Sequence, residues 1–463
     1  GFLPNLRAHG DLAAAYKEAT LSLGEEEKKI LAPLFSSFGR AYREEELEAL
    51  ASAESALAGL LATRAEELSR TERAVKTVTA AAALLLSDPQ RKAVFFELKA
   101  TYANRFFRPG DKLISYRADG LPPRALFCWN MIREIRQSAD REAEIRQISE
   151  FLFREQLTAA GQNLSWIAAA RDTFAGVLRV VVDCTRENTS NRELIGALRQ
   201  QSVSDLLSYL AAHPQNQGLL KRIYGYDSAN AKSYQPTRRS GDVMFFLHTA
   251  LEQFSGSFCA DGQDTIHDFL RTEGQNLFLI YDLASAEISR PFMVYFLKKL
   301  KDEKLSNRCA VSAPLLMVLD EVDKLADGGR SADFGLFQAA TLGREAGLQL
   351  LLTTQSLEQL YGLAPQFNEH LTTAGLAGFP MTVAFRPGDA PTLHTLQTLY
   401  GSDYRERTIY PVSRYDRPAT HCELEPLVSE AEFAALAPGT AYVKLADARP
   451  IKVRFLHRKE RLP

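Results

Sequence analysis

The chain has 463 residues, 46% of them hydrophobic and 24% charged, with a formal net charge of −2. That length predicts two or three domains, or one large α/β core carrying an insertion, and the composition is ordinary for a soluble globular protein. The near-neutral balance excludes a global attraction to nucleic acid, and five scattered cysteines without a CxxC pair read as reduced thiols and argue against a zinc module.

No run approaches the roughly 18 apolar residues that cross a bilayer. No secretory leader pattern opens the chain, which begins at Gly1 without a methionine, so an anchor ahead of it stays open. Residues 1–70 read as helical throughout, with Leu47, Leu50, Leu57 and Leu61 stacked on one face as a packing or docking seam. Helix continues from Thr71 to Leu86, and Pro89 ends it. Ala93–Leu98 and Leu113–Tyr116 follow as strands. From about Ser138 to Tyr224 the pattern is helical again, apart from the ambiguous Val177–Val182. There Trp166, Ala170, Phe174 and Leu178 recur every four residues as the core stripe of a helix in an inserted all-α domain.

A turn-rich basic loop, Tyr226–Asp242, leads through a helix at Val243–Phe254 to the buried strand Leu277–Leu283. Ser289 and Pro291 are expected to open a helix that turns Phe292, Tyr295, Phe296 and Leu300 to the core. Leu315–Leu319 is a short unbroken apolar run, the mark of a strand buried on both faces of a parallel sheet. Asp320 and Glu321 follow it directly. Phe334–Ala346 reads as a helix stopped by Gly347, Leu348–Leu352 as the next buried strand, and Thr353, Thr354 and Gln355 as its polar exit. A helix near Pro365–Thr373, a strand at Met381–Phe385, a helix at Pro391–Tyr400 and a hairpin-like pair, Ala441–Leu445 with Ile451–Phe455, complete the chain. The basic run Arg449–Arg461 reads first as a solvated tail.

Strands alternating with helices predict a doubly wound α/β core. In such a sheet a right-handed crossover puts Asp320, Glu321 and Gln355 on one edge, where open sheets bind ligands. An apolar strand ending in Asp-Glu is the Walker B arrangement. The Asp can hold magnesium and the Glu can orient or deprotonate a water that attacks a γ-phosphate. Gln355 can sense that phosphate, and Arg344, at the end of the intervening helix, can reach across a subunit boundary.

Three segments in this order and spacing, LMVLDEVDKL, LGREAGLQLLLTTQSLEQLYG and LFLIYDLASAEISRPF, resemble the C-terminal motifs of the TraG/TraD coupling ATPases of type IV secretion and conjugation, relatives of the HerA and FtsK motors. VFFELKATYANRFFRPGDKLISYRADG is similar to that family's strand and loop after the phosphate-binding helix, and WIAAARDTFAGVL to its helical insert. The resemblance implies a RecA-like P-loop NTPase core, a mostly parallel doubly wound sheet, over residues 71–137 and 238–463. It implies an inserted all-α domain over 138–237, with the helical segment 1–70 ahead of both. It further implies ATP and Mg2+ as cofactors and a hexameric ring at the cytoplasmic face of the bacterial inner membrane. The partners implied are type IV secretion components, DNA-relaxase complexes or protein substrates.

The site residues carried over are Lys76 at the phosphates, Thr77 and Asp320 at magnesium, Glu321 at the attacking water, Gln355 as sensor and Arg344 acting in trans. One element departs from the family. A phosphate loop of the form GxxxxGK[ST] cradles phosphates with the backbone N–H groups of a glycine-rich turn. Here Arg70 and Val75 stand at the two glycine positions, with Lys76 and Thr77 following them and Glu72 inside the loop. Three readings therefore stand: an ATP-hydrolysing coupling protein with a divergent phosphate loop, a relative without hydrolysis that serves as a docking scaffold, and a HerA-like DNA-processing motor.

Overall fold

The computed structural model describes residues 92–454 apart from 118–124, 187, 227–234, 307–313, 327–331, most of 355–377, 410–418, 438 and 447. The helical expectations for residues 1–86, the helix near Pro365–Thr373, and Lys76, Thr77 and Gln355 lie outside those residues. The chain divides into two compact units, one comprising Lys92–Ala313 with Met317–Gly335 and the other formed by Leu336–Pro463 with Pro314–Leu316.

The first unit is built on parallel strands. Strand β1 (Lys92–Glu97) is buried along its whole length, as its apolar sequence demands. After helix α1 (Thr101–Phe106) comes β2 (Lys112–Ser115). Helices α2 (Met131–Gln137), α3 (Arg141–Thr158), α4 (Leu164–Cys184), α5 (Asn191–Gln200) and α6 (Val203–Leu210) follow, then α7 (Arg238–Leu251) and α8 (Ile266–Arg271). Strand β3 (Leu277–Ile280), helix α9 (Ala286–Leu305) and strand β4 (Leu315–Asp320) return the chain to the sheet. Both β1 and β2 pair with β3 in parallel, with Glu97 and Ser115 each opposite Ile280. Phe95 and Phe278 stack across that pairing at 4.8 Å.

The helical stretch starts where caps dictate. Asp140 accepts from the Ala143 N–H to open α3, and Ser190 and Glu193 form a capping box on α5. The ambiguous Val177–Val182 lies within α4: three turns of buried stripe, Ala170, Phe174 and Leu178, outweigh the local β-propensity of its valines. Helix α9 begins at Ala286, five residues before Pro291, so Pro291 is inside the helix and does not open it. Phe292, Tyr295, Phe296 and Leu300 are all buried, as expected. Phe258 stacks on Phe292 at 4.1 Å and Phe151 on Tyr295 at 4.5 Å, so α3 and α9 share an aromatic core.

Under those rings lies a buried ionic network. Lys299 pairs with Glu144 and, at 2.8 Å, with Glu303, while the Tyr295 hydroxyl donates to Glu144 at 2.7 Å. Glu134 accepts from the Ile266 N–H at 2.7 Å and from the Trp129 indole at 3.3 Å. Burial pushes the Glu134 carboxyl up to about 7 against the pull of Lys299. The same burial opposes charge on Lys299, but Glu134, Glu144 and Glu303 outweigh it and hold the ammonium above its ordinary range.

The second unit contains helix α10 (Leu336–Leu342), β5 (Leu348–Thr353), β6 (Met381–Ala384), α11 (Ala390–Tyr400), β7 (Ser402–Ile409), β8 (Ala419–Pro426), α12 (Glu430–Ala434), β9 (Thr440–Leu445) and β10 (Ile451–Arg454). β5 takes the last place in a five-stranded sheet of order β2-β3-β1-β4-β5. The helix expected over Phe334–Ala346 is shorter at both ends. It stops before Gly343, where a Cβ would stand 2.3 Å from the Ala339 carbonyl. β6 does not join the parallel sheet; it pairs antiparallel with β9, which pairs with β10. Lys452 and Arg454, read from the sequence as part of a tail, are residues of β10. β7 and β8, absent from the sequence expectations, form a separate antiparallel ribbon with Tyr404 opposite Leu424.

Candidate nucleotide site

Two strands of the first unit end in acids, and the acids meet. β1 runs out at Glu97 and β4 at Asp320, neighbours in the sheet order. After Glu97 the chain turns through Ala100, which takes the left-handed conformation at φ +51°, and enters α1. That turn brings the N–H groups of Tyr102 and Ala103 back onto Glu97, at 2.7 and 2.8 Å from its two carboxylate oxygens. Glu97 is 1% exposed. Burial pushes its carboxyl up to about 7 and the charge of Asp320 adds to the rise, while the N–H donors oppose both.

Tyr102 completes the cluster. It is fully buried, stacked on Phe95 at 5.5 Å and flanked by Phe106 at 6.3 Å. Burial, then the charges of Asp320, Glu97 and Glu321, hold its phenol protonated far above the ordinary range.

Glu321 also takes a left-handed backbone conformation, at φ +49°. For a residue with a Cβ this costs on the order of 1–2 kcal/mol. The next turn sustains it: Lys324 donates its N–H to the Glu321 carbonyl at 3.0 Å, and Val322 and Leu325 are fully buried. The strand therefore stops abruptly and Glu321 departs from the β4 direction at the sheet edge.

Arg344 is exposed on the tight turn between α10 and β5. The turn is fixed by its two glycines. Gly343 donates to Ala339 and accepts from Leu348 at 2.7 Å, and Gly347, at φ +69°, donates to the Arg344 carbonyl at 3.0 Å. A sequence reading that stopped at the Asp-Glu pair missed Glu97 and Tyr102. The signal for Glu97 was present, since AVFFE, like LLMVLDE, is an apolar strand that ends in an acid.

The donor set fits magnesium with a nucleotide. No group of three or more His, Cys, Asp and Glu side chains is arranged as a metal cage among the described residues. Magnesium does not need one, because it is usually held by one or two carboxylates, waters and phosphate oxygens. Asp320, half-buried beside the buried Glu97, offers a hard oxygen ligand of that kind.

Parallel strands with acids at their C-terminal edge, and helices inserted between β2 and β3, define a RecA-like α/β protein. The solved structures agree on the fold. The unbound monoclinic form of the bacterial conjugative coupling protein TrwBΔN70 matches with a TM-score of 0.61 at 20% identity, over 85% of each chain. TrwB with ADP and Mg2+ matches at 0.59 and 20% identity over 84% of each chain, and TrwB with the ATP analogue ADPNP at 0.58 and 19% over 85% of each. Among curated proteins no sequence matches. The model of the type IV secretion-system coupling protein DNA-binding domain matches residues 75–452, and the chain belongs to that family. Among the described residues no helix is long and apolar enough to cross a membrane.

Proposed function

We propose that this chain is a nucleotide-driven coupling protein that brings DNA-relaxase complexes or protein substrates to a type IV secretion channel. The observation that carries this reading is the adjacency of the strands that end in Glu97 and Asp320, at one sheet edge in a chain of the coupling-protein family, with Glu321 next in the chain. Asp320 would hold magnesium, with Thr77, and Lys76 would contact the phosphates. Bound magnesium would supply neutralising charge between the phosphate oxygens. Glu321 orients the attacking water and takes its proton, Gln355 senses the phosphate, and Arg344 acts on the site of a neighbouring copy. We take the working assembly to be a homo-oligomer, a hexamer by family, at the cytoplasmic face of the inner membrane. TrwB structures holding ADP with Mg2+ and ADPNP support nucleotide as the ligand.

A second reading, a docking scaffold without hydrolysis, draws on Arg70 and Val75 at the glycine positions of the phosphate loop. Calorimetric titration with ATP, with and without Mg2+, separates the two. Tight, Mg2+-dependent binding abolished by Lys76→Ala supports the motor; no binding in the unaltered chain supports the scaffold.

A further inference from the structure

A second concentration of charge lies among the helices of the first unit. A cavity of about 530 Å³ opens between α3, α4 and residues 214–224, a size typical of small-molecule sites. Four arginines line it, Arg146 from α3, Arg171 and Arg179 from α4 and Arg222 from the third wall, against two acids, Glu150 and Asp172. The ion pairs among them leave cationic capacity over. Asp172 accepts from Arg171 at 2.8 Å and from Arg222 at 3.0 Å, so one carboxylate serves two guanidiniums, which carry more N–H donors than it can occupy. Arg179 is tied at 2.9 Å to Glu142, which is not part of the lining. Arg146 forms no hydrogen bond or ion pair among the described residues, although Glu150 stands one turn further along α3. Arginines that only stapled helices together would each have an acid; here they exceed their acids and line an open space.

The third wall is fixed before any ligand arrives. Asn216 is fully buried and donates to the carbonyls of Gly176 at 3.0 Å and Leu210 at 3.2 Å, and the Tyr224 hydroxyl pairs with Thr173 at 2.8 Å. Between these two ties the chain passes from a 3₁₀ turn at Pro214–Asn216 into a π-helical turn, Leu220–Tyr224, that carries Arg222. Such turns are rare and recur at functional sites. The lining also selects a class of ligand. It holds no aromatic ring on which a base could stack, and its apolar side chains are Ala175 and Leu219. Guanidinium forks match the paired oxygens of a phosphate group. We propose that this cavity binds a compact, non-aromatic phosphorylated molecule with more than one anionic group, held by Arg146 and Arg222 with the spare donors of Arg171. This site stands independently of the nucleotide reading above.

The test is calorimetric titration of the full chain, without Mg2+ and at fixed ionic strength, with inorganic pyrophosphate and separately with fructose 1,6-bisphosphate. We expect saturable binding of both probes. Arg146→Ala and Arg222→Ala should each weaken it by roughly tenfold to a hundredfold, the loss of one charge-assisted contact. Both side chains are exposed, so the variants should keep their melting temperature and remain interpretable. Lys76→Ala should leave the binding of both probes unchanged. Absence of saturable binding overturns the proposal. So does binding that survives both arginine changes and is lost in Lys76→Ala, since that places the phosphate at the nucleotide site. A duplex oligonucleotide that binds through Arg146 and Arg222 while neither probe binds also overturns it, in favour of a nucleic-acid backbone. Failure of ATP to bind the unaltered chain removes the nucleotide reading and leaves this site standing.

Discussion

Two clusters in the first unit bury carboxylates beside a tyrosine, and they are built on opposite plans. Around Glu144 every partner is supplied: Lys299 sits against it and the Tyr295 hydroxyl donates to it. Around Tyr102 the charges that act on the phenol are those of three acids, Asp320, Glu97 and Glu321. The first arrangement lies between helices and holds them together. The second lies at the exit of the strands, where the cost of crowded acids is met by the rest of the fold and a ligand can relieve it. The sign of the neighbouring charges thus separates the two clusters when burial alone does not.

Changes that disrupt the paired cluster should have the largest effect on stability. Lys299→Met leaves Glu144 and Glu303 without their cation and should cost about 3–5 kcal/mol in denaturant unfolding, with part of the loss recovered in Lys299→Met/Glu144→Gln. The corresponding change at the other cluster should reverse the pattern. On the proposed motor reading, Glu321→Gln should lower ATP turnover by roughly 10²–10³-fold, in the range set by loss of one electrostatic group, while unfolding free energy changes little. Retained turnover in Glu321→Gln would remove that residue from the chemistry.

The tyrosines give a matched pair. Tyr295→Phe deletes a hydrogen bond to a buried carboxylate and should destabilise by about 1.5–3 kcal/mol. Tyr102→Phe deletes a hydroxyl beside three acids, Asp320, Glu97 and Glu321, and should destabilise less, by about 0.5–1.5 kcal/mol. Equal losses in the two variants would dissolve the distinction drawn between the clusters.

The clusters also differ in how they respond to pH. Glu97 and Glu134 both titrate near 7 in the folded chain, above the ordinary 4.5 of a free glutamate. The folded state therefore holds more protons than the unfolded chain between those values. The contribution is fully present below about pH 4.5 and is lost as pH rises through about 7, on the order of 1–3 kcal/mol per group. Glu134→Gln and Glu97→Gln should each flatten the fall in stability measured between pH 5 and pH 8.

Much of this was legible in the sequence. Unbroken apolar runs placed β1, β3 and β4 to within a few residues, because a strand buried on both faces has no other way to be written; the run at β5 placed that strand too, but only its Leu348 is buried. The Asp-Glu pair was visible for the same reason: acids directly after such a run cannot continue it. What escaped was non-local. Tyr102 looks like a helix residue until the turn at Ala100 folds it over the strand end, and Glu97 acquires its neighbour only when β1 and β4 become adjacent in the sheet. The β7–β8 ribbon escaped for another reason: SDYRERTI carries no alternation, since Tyr404, Arg405 and Glu406 are all exposed and neither face has to be apolar. The helix before Gly343 was overextended because its periodicity runs on past the point where a close backbone contact ends it.

The left-handed backbone at Glu321 has one more implication, for how variants of this chain would be selected. Only glycine occupies that conformation without strain, so every non-glycine side chain kept there is retained at a standing cost in fold stability. A library screened for thermal tolerance alone should drift to Glu321→Gly and lose turnover as it does so. A screen that demands substrate transfer should hold glutamate and accept the lower melting temperature. On the proposed motor reading, selection for durability and selection for work pull the same codon in opposite directions.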